Sequence, residues 1–311
     1  MFRALAMPGL LLLVWAVALN AQTTEDAGES AAPQLRSEML VTTEWLSEHI
    51  HDPDVAVLCI TSRPDFCSRG HIPGARMVEL SDISVTRNGV PNELPSVQAL
   101  EKVFEGAGVS DGVRIVLYGE RSGLLAARAY WTLDYLGLGG QAALLDGGLE
   151  KWKAEGRPLS QEVKPVQHGT LRVFPDPTVL MSLQDVQNLA KDPAKQATLM
   201  DARPADEFSG KKLSEEVAKA GHIPGARHLY WMQNIESAAN PVLRSEPELR
   251  QMYVELGASP GLPVVTYCRT GVQSSLDYFV AKYLGYKAAM YDGSFYEWSR
   301  QNLPVESDVK K

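Results

Sequence analysis

Val264-Val265-Thr266-Tyr267-Cys268-Arg269-Thr270-Gly271-Val272-Gln273-Ser274-Ser275 is an apolar, β-branched run, a short loop with one glycine, and the start of an amphipathic stretch. Apolar residues without polar alternation read as a strand buried on both faces of a parallel sheet. Downstream, Leu276, Phe279, Val280, Tyr283 and Leu284 fall at i, i+3, i+4, i+7 and i+8, one helical face that Gly285 ends. In such a strand, loop and helix unit, ligands bind at the carboxyl end of the strand, where Cys268 stands. If the loop from Arg269 to Ser274 curls around the sulfur, successive backbone N–H groups form an anion nest and the helix N-terminus adds its positive end. Both favour a thiolate, as does Arg269 if its side chain folds inward. The alternative is a small buried cysteine that merely closes a strand.

Outward from this segment, the chain repeats itself. Gly70-His71-Ile72-Pro73-Gly74-Ala75-Arg76 recurs letter for letter as Gly221-His222-Ile223-Pro224-Gly225-Ala226-Arg227, 151 residues later. Asp146-Gly147 with Trp152 and Pro158 returns as Asp292-Gly293 with Trp298 and Pro304, at an offset of 146. Nearly constant offsets this long mean two copies of one domain, not a solenoid. The strand-like runs Val55 to Ile60, Val113 to Tyr118 and Ala142 to Leu145 correspond to Thr198 to Ala202, Pro263 to Tyr267 and Ala288 to Tyr291. Leu125, Arg128, Ala129, Trp131 and Leu136 mark a helix in the first copy, and Ser182 with Asp185 reads as a capping box opening one in the second. The expected fold is α/β, a mostly parallel sheet with helices on both faces, made twice. In the first copy Tyr118 is followed by Gly119 and Glu120, so glycine replaces the cysteine and thiolate chemistry is excluded there.

The 311 residues are 45% apolar and 22% charged, which excludes disordered and fibrous classes. A net charge of -8 with no basic block argues against nucleic acid or anionic membrane as a partner. Residues 1–21 hold Arg3, no acid, an apolar run from Leu10 to Leu19, and small residues at Ala18 and Ala21. This is the layout of a signal peptide cleaved after Ala21 or Ala18, and predicts a periplasmic or secreted protein with no membrane segment after cleavage. A membrane anchor is the alternative, but the run is short of the roughly 18–20 apolar residues a span needs. Residues 22–38 read as a flexible lead-in, 39–158 as the first copy, 159–178 as a linker, 179–306 as the second copy and 307–311 as a tail.

Cys-Arg-Thr-Gly-Val after a strand, the twin Gly-His-Ile-Pro-Gly-Ala and the twin Asp-Gly…Trp endings together resemble the tandem-domain rhodaneses, the thiosulfate sulfurtransferase family, over about residues 39–306. The resemblance implies two rhodanese-like domains, a degenerate first and a catalytic second, with the active site near their interface. It implies that sulfane sulfur moves from a small anionic donor, through a persulfide on Cys268, to a thiophilic acceptor such as cyanide or a thiol. Thiosulfate as donor would release sulfite in a ping-pong cycle. Carried over by position, Cys268 is the sulfur carrier, and Arg269, Thr270, Gly271, Val272, Gln273 and Ser274 form its cradle. Arg203 in Asp201-Ala202-Arg203 matches a substrate-side arginine. The implied chemistry calls for no metal and no organic cofactor. His71 and His222, shared by both copies, read as structural, since one copy lacks the cysteine.

Arg269 resembles the thiosulfate branch of the family. Thr270 departs from its usual second basic residue, Glu207 stands where some relatives have a further substrate arginine, and Gln273 is larger than usual. A 3-mercaptopyruvate enzyme and a non-enzymatic persulfide carrier are the alternatives. A cysteine phosphatase of Cys-X5-Arg type is argued against by Ser274 at the arginine position. Cys59 and Cys67, eight apart, read either as a disulfide or as two unpaired thiols. The sequence leaves the oligomeric state open.

Overall fold

Alternate residues of one strand already show the two-sided burial that the apolar runs require. On Val55–Thr61, Ala56, Leu58 and Ile60 enter one core while Val57 and Cys59 enter another on the opposite face. The computed structural model describes residues 1–2, 33–163, 165–192 and 197–309. The signal-like segment beyond residue 2, and the lead-in up to residue 32, lie outside the described residues.

The first copy contains strands β1 (Leu40–Val41), β2 (Val55–Thr61), β3 (Arg76–Glu79), β4 (Val85–Arg87), β5 (Val90–Glu93), β6 (Arg114–Gly119) and β7 (Ala142–Leu145). Its helices are α1 (Thr43–His49), α2 (Pro64–Ser68), α3 (Val97–Gly106), α4 (Leu124–Tyr135) and α5 (Gly148–Ala154). The second copy contains β8 (Leu180–Met181), β9 (Thr198–Asp201), β10 (Arg227–His228), β11 (Val264–Tyr267) and β12 (Ala288–Tyr291), with α6 (Leu183–Leu189), α7 (Ala205–Phe208), α8 (Glu246–Glu255), α9 (Ser274–Tyr283) and α10 (Ser294–Arg300). The first sheet runs β1-β7-β6-β2-β3 and the second β8-β12-β11-β9-β10, the same order twice, with every pairing parallel. Among the described strands, β4 and β5 alone pair antiparallel, as a separate hairpin. The α/β architecture read from the sequence is therefore present in both copies.

Helices cover both faces of each sheet. In the first copy α3 and α4 bury Leu100, Phe104 and Leu125 on one side, and α1 and α5 bury Leu46, Leu149 and Trp152 on the other. In the second, α8 and α9 bury Leu249, Tyr253 and Phe279 on one side, and α6 and α10 bury Val186, Phe295 and Trp298 on the other. The core containing α4 also contains α9, so one apolar cluster runs through both copies. Tyr130 and Phe279 meet edge-to-face there at 4.9 Å, a favoured aromatic geometry. Near them Tyr278 donates from its hydroxyl to Asp134, which also pairs with Lys282 at 2.7 Å.

The repeated residues make repeated bonds. Ile72 N–H donates to the Tyr118 hydroxyl at 3.2 Å, and Ile223 N–H to the Tyr267 hydroxyl at 3.1 Å. Trp152 donates to the Pro158 carbonyl at 2.8 Å and Trp298 to that of Pro304 at 2.9 Å. His71 exchanges backbone bonds with Ser160, and His222 with Glu306, so each copy's last segment is tied to its Gly-His-Ile turn. Ser182 and Asp185 form the expected capping box. Of the two readings of Cys59 and Cys67, the structure has the disulfide, between β2 and α2, with Cα atoms 6.4 Å apart. No helix among the described residues is long and apolar enough to cross a membrane.

Candidate active site

Strand β11 lies between β9 and β12, and all four of its residues are buried. Cys268 follows it directly, 1% exposed, and is the free cysteine of the structure. Its backbone is pinned from the neighbouring strand's end. The Cys268 N–H donates to the Ser294 hydroxyl at 3.2 Å, and the Cys268 carbonyl accepts from Phe295 N–H at 2.9 Å. Ser294 holds a left-handed φ of 54°, rare for a residue with a side chain, and its hydroxyl donates on to the Tyr291 carbonyl at 2.8 Å.

The loop then turns back on the sulfur. Gly271 has a φ of 80°, and Ser274, the first residue of α9, brings its hydroxyl to 3.6 Å from the Cys268 Sγ as a donor. Thr266 fixes the far end by donating to the Ser274 carbonyl at 3.0 Å. Among the described residues, no protein acceptor takes the backbone N–H of any residue from Arg269 to Ser274. Backbone donors normally find partners, so a loop with several that have no protein acceptor, directly after a thiol, is suited to an anion.

The first copy completes this loop. Arg128 on α4, 0% exposed, donates to the Gly271 carbonyl at 3.0 Å, to Asp292 Oδ1 at 2.6 Å, and to the Asn92 carbonyl. Asn92, in β5, donates from its side chain to Thr270 Oγ1 at 3.1 Å, and Leu94 N–H donates to Asp292 Oδ2 at 2.9 Å. Glu93 lies between these two contacts. Burial, with the carboxylates of Asp292 and Glu297 nearby, pushes it up to about 7, against the pull of Arg128 and Arg87.

The sequence profile of the rhodanese-like domain matches residues 42–155 and again residues 182–301. The chain belongs to the rhodanese-like family. A sulfur carrier protein of Thermus thermophilus, TtuD, is 35% identical over 273 residues, covering 84% of this chain and 93% of that one. A thiosulfate sulfurtransferase of Azotobacter vinelandii is 32% identical over 269 residues, covering 84% and 94%. Among solved structures, the 3-mercaptopyruvate sulfotransferase SseA of Escherichia coli superposes with a TM-score of 0.73 at 25% identity, covering 82% of this chain and 98% of that one.

Within this rhodanese-like pair, the site residues read from the sequence take different places. Cys268, Gly271 and Ser274 form the loop around the sulfur, with Thr270 held by Asn92. Val272 packs into the shared core, and Gln273 leaves its side-chain oxygen buried without a partner. Arg203, 1% exposed, is engaged elsewhere: its Nε donates to both Asp201 oxygens at 2.9 and 3.1 Å, and its Nη2 to the Gly221 carbonyl at 2.8 Å. Arg269 is engaged by carboxylates, donating to Glu207 at 2.8 and 2.6 Å and to Glu216 at 3.2 Å. Arg128, Asn92, Asp292 and Ser294 were not among the candidates. Arg128 did carry a signal, a cation on an otherwise apolar helical face.

In the first rhodanese-like domain Gly119 stands at the cysteine position and Glu120 at that of Arg269. Glu120, 2% exposed, accepts from Ser62 N–H at 2.6 Å, from Arg63 N–H at 2.9 Å and from Arg63 Nε at 2.8 Å. Glu120 is thereby paired with Arg63, as Arg269 in the second domain is paired with Glu207.

Proposed function

We propose that this protein is a sulfurtransferase that carries sulfane sulfur on Cys268. The observation that carries the reading is a free thiol at the end of the central strand, followed by a loop whose backbone amides have no protein acceptor and whose Ser274 hydroxyl returns to the sulfur. The Cys268 thiolate attacks the outer sulfur of thiosulfate, and the electron pair of the broken S–S bond leaves with sulfite. A thiophilic acceptor then takes the outer sulfur from the persulfide. The loop amides hold the negative charge that stays on the bound sulfur throughout. Thiosulfate is the donor favoured by the Azotobacter relative's name.

The test is thiocyanate formation from cyanide with thiosulfate, and in parallel with 3-mercaptopyruvate, comparing the wild type with Cys268→Ser. Thiosulfate-dependent turnover that disappears in the variant is the expected result; turnover retained by the variant removes Cys268 from the mechanism. A second reading, transfer to one partner protein without fast turnover to small acceptors, is favoured by the name of the Thermus sulfur carrier. It predicts a stable persulfide on Cys268 with little thiocyanate. We also propose that the protein works outside the cytosol. The signal-like residues 1–21 and the Cys59–Cys67 disulfide support this, since such bonds persist in oxidising compartments.

A further inference from the structure

Three guanidinium groups lie about the cysteine loop, and each is held by a carboxylate. Arg128 pairs with Asp292 at 2.6 Å. Arg203, whose guanidinium lies 4.0 Å over the Phe295 ring, pairs with Asp201. Both of these pairs are almost fully buried, and Arg128 also donates to the Gly271 carbonyl and Arg203 to that of Gly221. Arg269 differs. Its side chain is 28% exposed, whereas that of its partner Glu207 is 1% exposed, so the carboxylate is anchored and the cation swings at the edge. Glu207 binds it through two oxygens, and Glu216, 52% exposed, takes a third contact. The cluster of one cation and two carboxylates is net negative, and what is left for a donor is the neutral dipoles of the amides.

We propose that Glu207 is a specificity-determining residue: by holding Arg269 off the sulfur pocket, it disfavours a doubly charged donor relative to a singly charged one. The proposal rests on the sulfurtransferase reading above. A two-oxygen carboxylate clamp is the strongest hold a guanidinium has. A compact dianion such as thiosulfate must either break that clamp or bind beside two carboxylates. A singly charged alkyl persulfide asks less of Arg269. In the first case Cys268–S⁻ and S–SO₃²⁻ give Cys268–S–S⁻ and SO₃²⁻. In the second, Cys268–S⁻ and R–S–S⁻ give Cys268–S–S⁻ and R–S⁻, the S–S electron pair leaving with the thiolate. Glu207 takes part in neither step and acts through Arg269.

The rate at which sulfur loads onto Cys268 would be followed by quenched intact mass, with thiosulfate and with N-acetylcysteamine persulfide, whose only charge is on the persulfide, as donors. In Glu207→Gln the thiosulfate-to-persulfide ratio of loading rate constants should rise about tenfold, the scale of a charged hydrogen bond. The gain should appear in the half-saturating thiosulfate concentration and not in the maximal rate. It should vanish in Glu207→Gln combined with Arg269→Gln. An unchanged or lowered ratio in Glu207→Gln overturns the proposal, as does a gain that survives loss of Arg269. Should Glu207→Gln not fold, Glu216→Gln, at an exposed position, is read by the same ratio: a smaller rise supports the proposal and no rise overturns it. If the wild type loads sulfur from neither donor, the sulfurtransferase reading itself falls.

Discussion

Arg128, in the domain without a cysteine, donates to the carbonyl oxygen of Gly271, in the loop of the domain that has one, at 3.0 Å. The same guanidinium meets Asp292 at 2.6 Å, 0% exposed on the arginine side. The shape of the cysteine loop therefore depends on the other copy. Arg128→Met should leave Asp292 uncompensated and the Gly271 carbonyl without its donor, lowering stability by about 3–5 kcal/mol. Urea unfolding measures the first effect. At low urea, where the variant stays folded, sulfur loading on Cys268 should also slow; a loading rate equal to wild type would show that the loop holds its shape alone.

Gly271→Ala tests the loop from its other side. Its φ of 80° disfavours any Cβ, and a Cβ built there would lie 2.6 Å from Asp292 Oδ1 and 2.9 Å from the Asp292 carbonyl. The backbone strain alone costs about 1–3 kcal/mol. Thermal unfolding should report at least that loss, together with persulfide yield well below wild type; a variant of wild-type stability would contradict the packing described.

Glu93 gives the domain interface a pH dependence. Its carboxyl sits at about 7 in the folded protein, against an ordinary 4.5, so the folded state binds this proton more tightly than the unfolded chain does. Stability from this group is full at low pH and is lost as pH rises from about 4.5 to about 7. Replacing Glu93 by Gln should flatten unfolding free energy over that window. An unaltered pH slope in the variant would exclude Glu93 as its source.

The Cys59–Cys67 disulfide closes a loop of sequence separation 8 in the first domain. Serine at both positions should cost about 2–3 kcal/mol by releasing that constraint in the unfolded chain. Sulfur loading on Cys268 should persist where the variant is folded. Denaturant midpoints and loading rates measured side by side separate the two.

The strands that position the cysteine were readable because burial on both faces leaves an uninterrupted apolar run. Expectations of Val113 to Tyr118 and Pro263 to Tyr267 meet observed strands Arg114–Gly119 and Val264–Tyr267, one residue apart at the ends. The loop around Cys268 was readable for the same local reason, since strand, glycine and helix start are contiguous. What the sequence did not show is everything carried by distance. Asn92 touches Thr270 across 178 residues and Arg128 touches Asp292 across 164, and no periodicity links such pairs. The direction of Arg269 was open for a related reason: which of several carboxylates takes a long cation depends on folded proximity, and Glu207 and Glu216 are 62 and 53 positions away. Ser294 escaped notice because its left-handed backbone, more usual for glycine, is invisible in a residue name.

Gly119 stands where Cys268 stands in the other copy, and a Cβ added there would lie 2.4 Å from the Ile60 carbonyl oxygen, on the adjacent strand. Glu120, the next residue, is bonded to Ser62 and Arg63. A side chain at position 119 would meet the backbone of β2, so what the first domain contributes to the cysteine loop it contributes from the side, through Arg128 and Asn92, and not with a thiol of its own.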